Sequence, residues 1–298
     1  MNTLQSSPQI AIMPGHPCFD EEAHDRVGRV HLAVAPRCNI QCRFCERKVC
    51  AHLAAQHPGW ARKVLTPDEA VALVRELARE HPGERFVVGV AGPGEPLAND
   101  ETFAALVAVG SEFPHLALCL STNGLLLEEE LPRLLALGVG SLTVTINAAD
   151  AAVGERVYAW VRYRGRTYRG REAAELLLER QVAGIRAALA SGVALKANAV
   201  LVPGANDEHL PELARLLGGL GVRLMNVMPL IPSGTMRDYR APTCEEVRRV
   251  RAECERWLPQ FRRCQHCRAD VVAMPAHHRA VMPASVGTTA EGDWRPVV

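Results

Sequence analysis

Short apolar, β-branched runs alternate with helix-like segments along most of the chain. The apolar runs lie at 30–35, 85–90, 116–120, 141–147, 193–201 and 222–228. The helix-like segments lie between them, near 67–80, 101–112, 127–137, 172–190 and 207–219. Six strand–helix units in this order predict parallel strands joined by right-handed crossovers. Because a closed TIM barrel needs eight such units, the pattern predicts an open, partial (βα)6 barrel of the α/β class.

Two helix ends can be predicted from local sequence. Thr66-Pro67-Asp68-Glu69 is a capping box with proline at the first helical position, so a helix should begin at Pro67. The helix predicted over 172–190 is followed by Gly192, a residue typical of helix C-termini.

Polar side chains and glycine-rich turns follow several predicted strands. Strand two runs into Gly92-Pro93-Gly94-Glu95, strand three contains Cys119 and runs into Ser121-Thr122-Asn123-Gly124, and strand four ends at Asn147. Sequences of this kind also form ordinary turns. All of them, however, follow the C-terminal ends of parallel strands, which is where barrels place active sites. This position favours one site formed jointly by these segments.

Strand one runs into three cysteines, Cys38, Cys42 and Cys45, in C-x-x-x-C-x-x-C spacing. Three thiolates can hold three irons of a [4Fe–4S] cluster and leave the fourth open to a small molecule. A structural zinc site completed by His31 or His52 is the alternative, although such sites usually have paired C-x-x-C units. With Phe44 before Cys45, the motif resembles that of the radical S-adenosylmethionine (SAM) enzymes.

Overall composition excludes some classes of function. There are 34 basic and 33 acidic residues and a net charge of +1, so nothing indicates a nucleic-acid partner. No apolar run approaches the roughly 20 residues of a membrane span. Ten cysteines without a secretory segment indicate a reducing cytoplasm and metal or redox chemistry.

Longer motifs resemble those of NifB, a radical SAM family of nitrogenase cofactor biosynthesis. The resemblance covers roughly residues 16–272. The matching stretches are His-Pro-Cys-Phe-Asp-Glu-Glu-Ala-His (16–24), Val-Ala-Pro-Arg-Cys-Asn-Ile-Gln-Cys (34–42), Gly-Pro-Gly-Glu-Pro-Leu-Ala-Asn (92–99), Cys-Leu-Ser-Thr-Asn-Gly (119–124), Tyr-Ala-Trp-Val-Arg-Tyr (158–163), Tyr-Arg-Gly-Arg-Glu (168–172) and Cys-Arg-Ala-Asp (267–270).

The resemblance implies three cluster sites and a SAM site. Cys38, Cys42 and Cys45 would bind the SAM-cleaving [4Fe–4S] cluster. One substrate [4Fe–4S] cluster would be held by Cys18, Cys264 and Cys267, and the other by His24, Cys50 and Cys119. The residues expected at the SAM are Gly92, Gly94, Glu95, Ser121, Asn123 and Asn147.

The implied activity is that of a lyase- or transferase-type cluster maturase. It would fuse the two substrate clusters around a SAM-derived carbide and form an [8Fe-9S-C] precursor of the nitrogenase cofactor. Implied partners are iron–sulfur cluster donors, cofactor carrier or scaffold proteins and an electron donor such as a ferredoxin. The alternatives are a NifB-related enzyme acting on a different or single cluster, and a non-enzymatic iron–sulfur carrier.

Four regions are expected. Residues 1–28 form an N-terminal extension with cluster ligands, 29–242 the radical SAM barrel, 243–272 a C-terminal helix and CxxC segment, and 273–298 a disordered tail. The chain resembles the short form of the family, without a NifX-like C-terminal domain.

Two segments are hard to assign from the sequence. Only five positions separate Cys45 from Cys50, where the family usually has six, so His52 is a substitute candidate for Cys50. The arginine- and aromatic-rich stretch 150–171 is interpreted as a lid over the clusters or as a solvated insertion.

Overall fold

The computed structural model describes residues 13–51, 57–264 and 267–275. The predictions for His52 and for residues 276–298 of the expected tail lie outside this part of the chain.

Six parallel strands form the main sheet and curl into a half-barrel. They are β1 (Gly28–His31), β5 (Phe86–Val90), β6 (Ala117–Thr122), β7 (Val139–Thr145), β10 (Ala194–Leu201) and β11 (Met225–Pro229). Their spatial order is their chain order, and the short strand β12 (Val272–Ala273) pairs antiparallel with the outer edge of β1. The predicted partial (βα)6 barrel is confirmed.

Helices follow the barrel strands as the sequence predicts. The helices are α1 (Pro67–Glu80), α2 (Asp100–Glu112), α3 (Leu127–Ala136), α4 (Ala151–Val157), α5 (Gly170–Ser191), α6 (Leu210–Leu220) and α7 (Cys244–Glu255). The Thr66 side chain accepts from the Glu69 amide and the Glu69 carboxylate accepts from the Thr66 amide, so the predicted capping box forms. Gly192 ends α5 in the left-handed conformation. Among the described residues, no helix is long and apolar enough to cross a membrane.

The first strand differs from its predicted bounds of 30–35. It begins at Gly28, and its continuous pairing with β5 ends at His31. Beyond it the chain turns, with the Val34 amide donating to the Leu32 carbonyl, and meets the second strand's loop through a single bridge between Ala35 and Pro93. The apolar run 32–35 is nevertheless buried, because Leu32, Val34 and Ala35 pack in the main barrel core and Ala33 packs with Ala61 and Ala269.

Residues 150–171 do not form a solvated insertion. They form α4 and the strands β8 (Tyr158–Tyr163) and β9 (Arg166–Tyr168), and β8 pairs antiparallel with β2 (Ile40–Cys42) of the cysteine loop. Buried Tyr158 and Val161 pack in one apolar cluster with Ile40 and Leu177 of α5. The hairpin is therefore a packed support of the cysteine loop, and the lid interpretation stays a prediction.

Candidate functional site

A cavity of about 260 Å³ opens at the C-terminal ends of the barrel strands. Polar residues and backbone from several loops line it, and so do seven of the ten cysteines. These cysteines are Cys18, Cys38, Cys42, Cys45, Cys119, Cys264 and Cys267. Within the described ranges, no three His, Cys, Asp or Glu side chains are grouped so as to hold a single metal ion.

Backbone and side-chain hydrogen bonds fix the loop that carries Cys38, Cys42 and Cys45. The Cys45 amide donates to the Cys42 carbonyl at 3.0 Å. The Gln41 side-chain amide donates to the carbonyls of both Cys42 and Cys45 at 2.8 Å. In turn, Arg47 donates to the Gln41 side-chain oxygen at 2.8 Å. The loop therefore holds its shape through contacts that leave the three thiols on the cavity wall.

Burial keeps these thiols protonated in the protein without metal. It raises the pKa of Cys38 to about 12, with nearby Glu95 adding to the effect. Burial also raises the pKa of Cys42 well above its ordinary value and raises that of Cys45, where Arg47 opposes the effect. Because iron binds thiolates, loading this loop must release protons and is favoured as the pH rises.

Gly94 allows two backbone segments to approach each other. A Cβ on Gly94 would lie 2.6 Å from the Arg37 carbonyl carbon and 2.9 Å from the Ala35 oxygen. The Gly94 amide donates to Ala35 at 2.6 Å, and the next amide donates to Arg37 at 2.8 Å. These contacts fix the segment that leads into Cys38. Gly92, at φ +136°, packs against Ala269 and is not among the described residues lining the cavity.

Glu95 is a buried acceptor at the junction of two barrel loops. Its carboxylate accepts from the Thr122 hydroxyl at 2.6 Å, from the Asn123 amide at 2.7 Å and from the Leu97 amide at 3.1 Å. Burial raises its pKa to about 7, although these three hydrogen bonds act in the opposite direction. Glu95 thus ties the second and third strand loops together while lining the cavity.

The three remaining residues predicted at the SAM lie in two places. Ser121 and Asn123 line the cavity, and the Asn123 side chain donates to Asn39 of the cysteine loop at 2.7 Å. Asn147 is buried away from the described cavity wall. Its side chain donates to the Tyr158 hydroxyl at 3.0 Å and accepts from the Val200 amide at 2.8 Å, so it joins the hairpin to the barrel.

Cys18 and the C-terminal cysteines meet beside two buried cations. Arg29 donates through Nε to the Cys267 Sγ at 3.3 Å, and the Lys196 ammonium donates to the Cys18 carbonyl at 2.8 Å. Burial raises the pKa of Cys18 to about 11, and Lys196 and Arg29 oppose that shift. The sequence places Lys196 among the polar residues of the fifth barrel strand, but sequence reasoning missed Arg29, because an isolated arginine in an apolar strand gives no local signal of what it faces.

A row of three residues crosses the first three barrel strands. In register, His31 of β1 lies beside Gly89 of β5, which lies beside Cys119 of β6. A Cβ at Gly89 would lie 2.6 Å from the Cys119 sulfur and 3.6 Å from the His31 ring. The missing side chain therefore allows the Cys119 thiol and the His31 ring to approach the same point on this face of the sheet. His31 Nδ1 lies 3.2 Å from the Arg268 carbonyl, which assigns the ring proton to Nδ1 and leaves Nε2 as the acceptor nitrogen.

His24 and Cys50 are placed differently from the other predicted ligands. His24 is buried against Phe261, with Nδ1 at 2.7 Å from the Pro17 carbonyl, and is not among the described residues that line the cavity. Cys50 is exposed and also lies outside that lining. It follows β3 (Lys48–Val49), which pairs with β4 (Trp60–Ala61) next to the cavity residues Arg47 and Gly59.

Comparison with known proteins identifies the family. The Radical SAM superfamily profile matches residues 32–217. The FeMo cofactor biosynthesis protein NifB of Methanocaldococcus infernus is 44% identical over 263 residues, which cover 88% of this chain and 86% of that protein. The protein of the same name from Klebsiella pneumoniae is 41% identical over 95% of this chain and 62% of its own length. The chain belongs to the NifB family of radical SAM proteins.

Solved structures support the same fold at lower identity. A radical SAM methyltransferase from Sphaerobacter thermophilus matches 79% of this chain and 64% of its own, with a TM-score of 0.55 and 22% identity. Streptococcus suis SuiB bound to S-adenosylmethionine matches 78% of this chain and 49% of its own, with a TM-score of 0.55 and 13% identity. NifB membership also indicates an enzyme of nitrogenase cofactor biosynthesis that uses a [4Fe–4S] cluster and SAM.

Proposed function

We propose that this NifB-family protein fuses two [4Fe–4S] substrate clusters, takes up one further sulfur from a sulfur donor and inserts a SAM-derived carbide, forming an [8Fe-9S-C] precursor of the nitrogenase cofactor. The observation that carries the proposal is the convergence of seven cysteines, from both ends of the chain and from the barrel, on one cavity. A single SAM-cleaving cluster needs three thiols. The other four thiols are then available to hold substrate.

Cys38, Cys42 and Cys45 would hold the SAM-cleaving cluster, and the SAM would lie against Gly94, Glu95, Ser121 and Asn123. When bound, the cluster supplies an electron that cleaves the SAM sulfonium and gives a 5′-deoxyadenosyl radical. The chain's own part is positional. Gly94 and Gln41 fix the cysteine loop, and the buried carboxylate of Glu95 fixes the two barrel loops beside it.

For the substrate clusters we propose one change in the expected ligands. Cys18, Cys264 and Cys267 would hold the first cluster. Cys119 would hold the second together with His31 in place of His24, because His31 and Cys119 lie in register on either side of Gly89 and both line the cavity. Cys50 remains a candidate third ligand, and binding through it requires its exposed loop to turn inward. Residues 1–28 and 243–272 then act as cluster-binding extensions of the barrel.

The exposure of Cys50 favours a second candidate function. If that loop never reaches the cavity, Cys119 and His31 alone hold the second cluster weakly, and the enzyme acts on a single cluster. For either function we propose a cytoplasmic protein with cluster donors, a cofactor carrier and a reductant such as a ferredoxin as partners.

The test is an anaerobic assay of reconstituted protein with dithionite and methyl-labelled SAM. The proposal expects about twelve irons for three cubanes, S-adenosylhomocysteine, 5′-deoxyadenosine, and label in an acid-labile cluster product. About eight irons with 5′-deoxyadenosine but no labelled cluster would support the single-cluster candidate. An absence of 5′-deoxyadenosine at full iron loading would refute radical SAM chemistry and favour a carrier.

A further inference from the structure

Lys196 is a buried cation in the wall of the cavity. It is the third residue of β10, is 2% exposed and lines the cavity. The ammonium donates to the Cys18 carbonyl at 2.8 Å and lies 5.2 Å from the Phe19 ring and 4.8 Å from the Phe261 ring. Among the described residues, no carboxylate forms an ion pair with it. Because burying a charge without an anionic partner is costly, this position calls for an anion in the cavity.

His16 provides a second donor in the same wall. It is 2% exposed and lines the cavity, with its ring edge against Phe19 at 4.9 Å. Its Nδ1 accepts from the Cys18 amide at 3.1 Å. In a neutral imidazole the proton is then on Nε2. Nε2 is buried and has no hydrogen-bond partner among the described residues, which leaves an N–H without an acceptor.

Lys196 and His16 both form hydrogen bonds with the backbone of Cys18: Lys196 donates to its carbonyl, and His16 accepts from its amide. We propose that Lys196 and His16 form an anion subsite that donates N–H hydrogen bonds to the sulfides of the cluster held by Cys18, Cys264 and Cys267. This inference rests on the proposed function, because it takes a cluster at those thiols as its ligand. Both residues are positioning residues, which set the charge and retention of the cluster without ligating iron.

The subsite has a direct electrostatic consequence. Reduction adds one negative charge to a cluster, so a nearby cation stabilises the reduced state more than the oxidised state. Hydrogen bonds to the sulfurs act in the same direction. Removing Lys196 should therefore make the midpoint potential of this cluster more negative and weaken its retention.

The experiment uses the full chain with Cys38, Cys42 and Cys45 changed to alanine, so that only substrate clusters contribute signals. Lys196→Met removes the charge and keeps an unbranched side chain. Lys63→Met, at a lysine paired with Glu69 on the surface, is the matched control. Each protein is reconstituted anaerobically, checked by circular dichroism, titrated by EPR against potential, and exposed to the iron chelator 2,2′-bipyridyl.

In Lys196→Met we expect a more negative midpoint and loss of iron to the chelator about tenfold faster, since a charged hydrogen bond is lost. In Lys63→Met we expect no change. If Lys196→Met does not fold, His16→Phe is the second test, because phenylalanine keeps a ring against Phe19 and removes the Nε2 donor together with the Nδ1 acceptor of the Cys18 amide. Folded variants with the parental midpoint and iron-loss rate would overturn the subsite. A parental protein that binds no iron would instead overturn the proposed function on which it rests.

Discussion

Gly94→Ala should disturb the cysteine loop through a backbone collision. The new Cβ would lie 2.6 Å from the Arg37 carbonyl carbon, and neither backbone segment is a flexible side-chain end that can move aside cheaply. Relief of the collision must lengthen the two hydrogen bonds from Gly94 and Glu95 to the segment before Cys38. Two weakened hydrogen bonds and local overpacking together should cost about 2–5 kcal/mol of unfolding free energy.

The assay is anaerobic urea unfolding of the protein without metal, together with iron analysis after reconstitution. We expect a lower urea midpoint and a loss of about four irons, since Cys38 would no longer align with its two partners. Gly219→Ala is the matched control, because nothing lies within 4 Å of its Cβ position and it lies in the last turn of α6. That variant should be neutral or up to about 1 kcal/mol more stable.

A Gly94→Ala protein with the wild-type urea midpoint and full iron would refute this reasoning. It would mean that the segment at 35–37 can move to make room for a methyl group. It would also mean that the close contact between this segment and Gly94 does not position Cys38. Loss of iron without loss of stability would place the effect in the cysteine loop alone.

Three further predictions concern the site. His31→Ala should lower bound iron by about four atoms, whereas His24→Ala should lower only thermal stability. Equal loss of iron in the two variants would contradict the assignment of His31 as a ligand of the second substrate cluster. Burial raises the pKa of Glu95 to about 7. The metal-free protein should therefore lose about 3 kcal/mol of unfolding free energy as the pH rises from 4.5 to 7. A Glu95→Gln protein whose unfolding free energy depends on pH in the same way would exclude Glu95 as the cause of this loss. Cys244→Ser changes an exposed residue at the start of α7 and should leave stability and bound iron unchanged. Cys254→Ser should lower the urea midpoint, because it buries a hydroxyl, and should leave bound iron unchanged. Loss of iron in either variant would reveal a ligand outside the cavity.

Much of the barrel follows from short-range signals. The helix start at Pro67 depends on Thr66 and Glu69, three residues apart, and the end of α5 depends on Gly192 alone. The first strand was predicted less well. The apolar run at 32–35 predicts a strand, but those residues are buried in the barrel core after the pairing of β1 with β5 has ended.

The candidate site, like the barrel, could be predicted only in part from the sequence. The spacing of Cys38, Cys42 and Cys45 predicts a cluster loop because ligands so close in sequence must lie close in space. The resemblance implied His24 as the ligand, whereas the sequence indicated His31 only as a candidate for completing a zinc site. A possible signal was Gly89 within an otherwise apolar strand, because a strand glycine often marks a close approach.

The family, the order of strands and helices, and the cysteine loop follow from the sequence, because each depends on residues that are neighbours along the chain. Which distant residues share the cavity depends on how the strands pair in the folded protein. The row of His31, Gly89 and Cys119 exists because β1, β5 and β6 pair in one particular register, and a shift of one residue would turn those side chains to the opposite face. Lys196 likewise meets Cys18 only in the folded chain, where its ammonium donates to the carbonyl of that residue, 178 residues away in sequence.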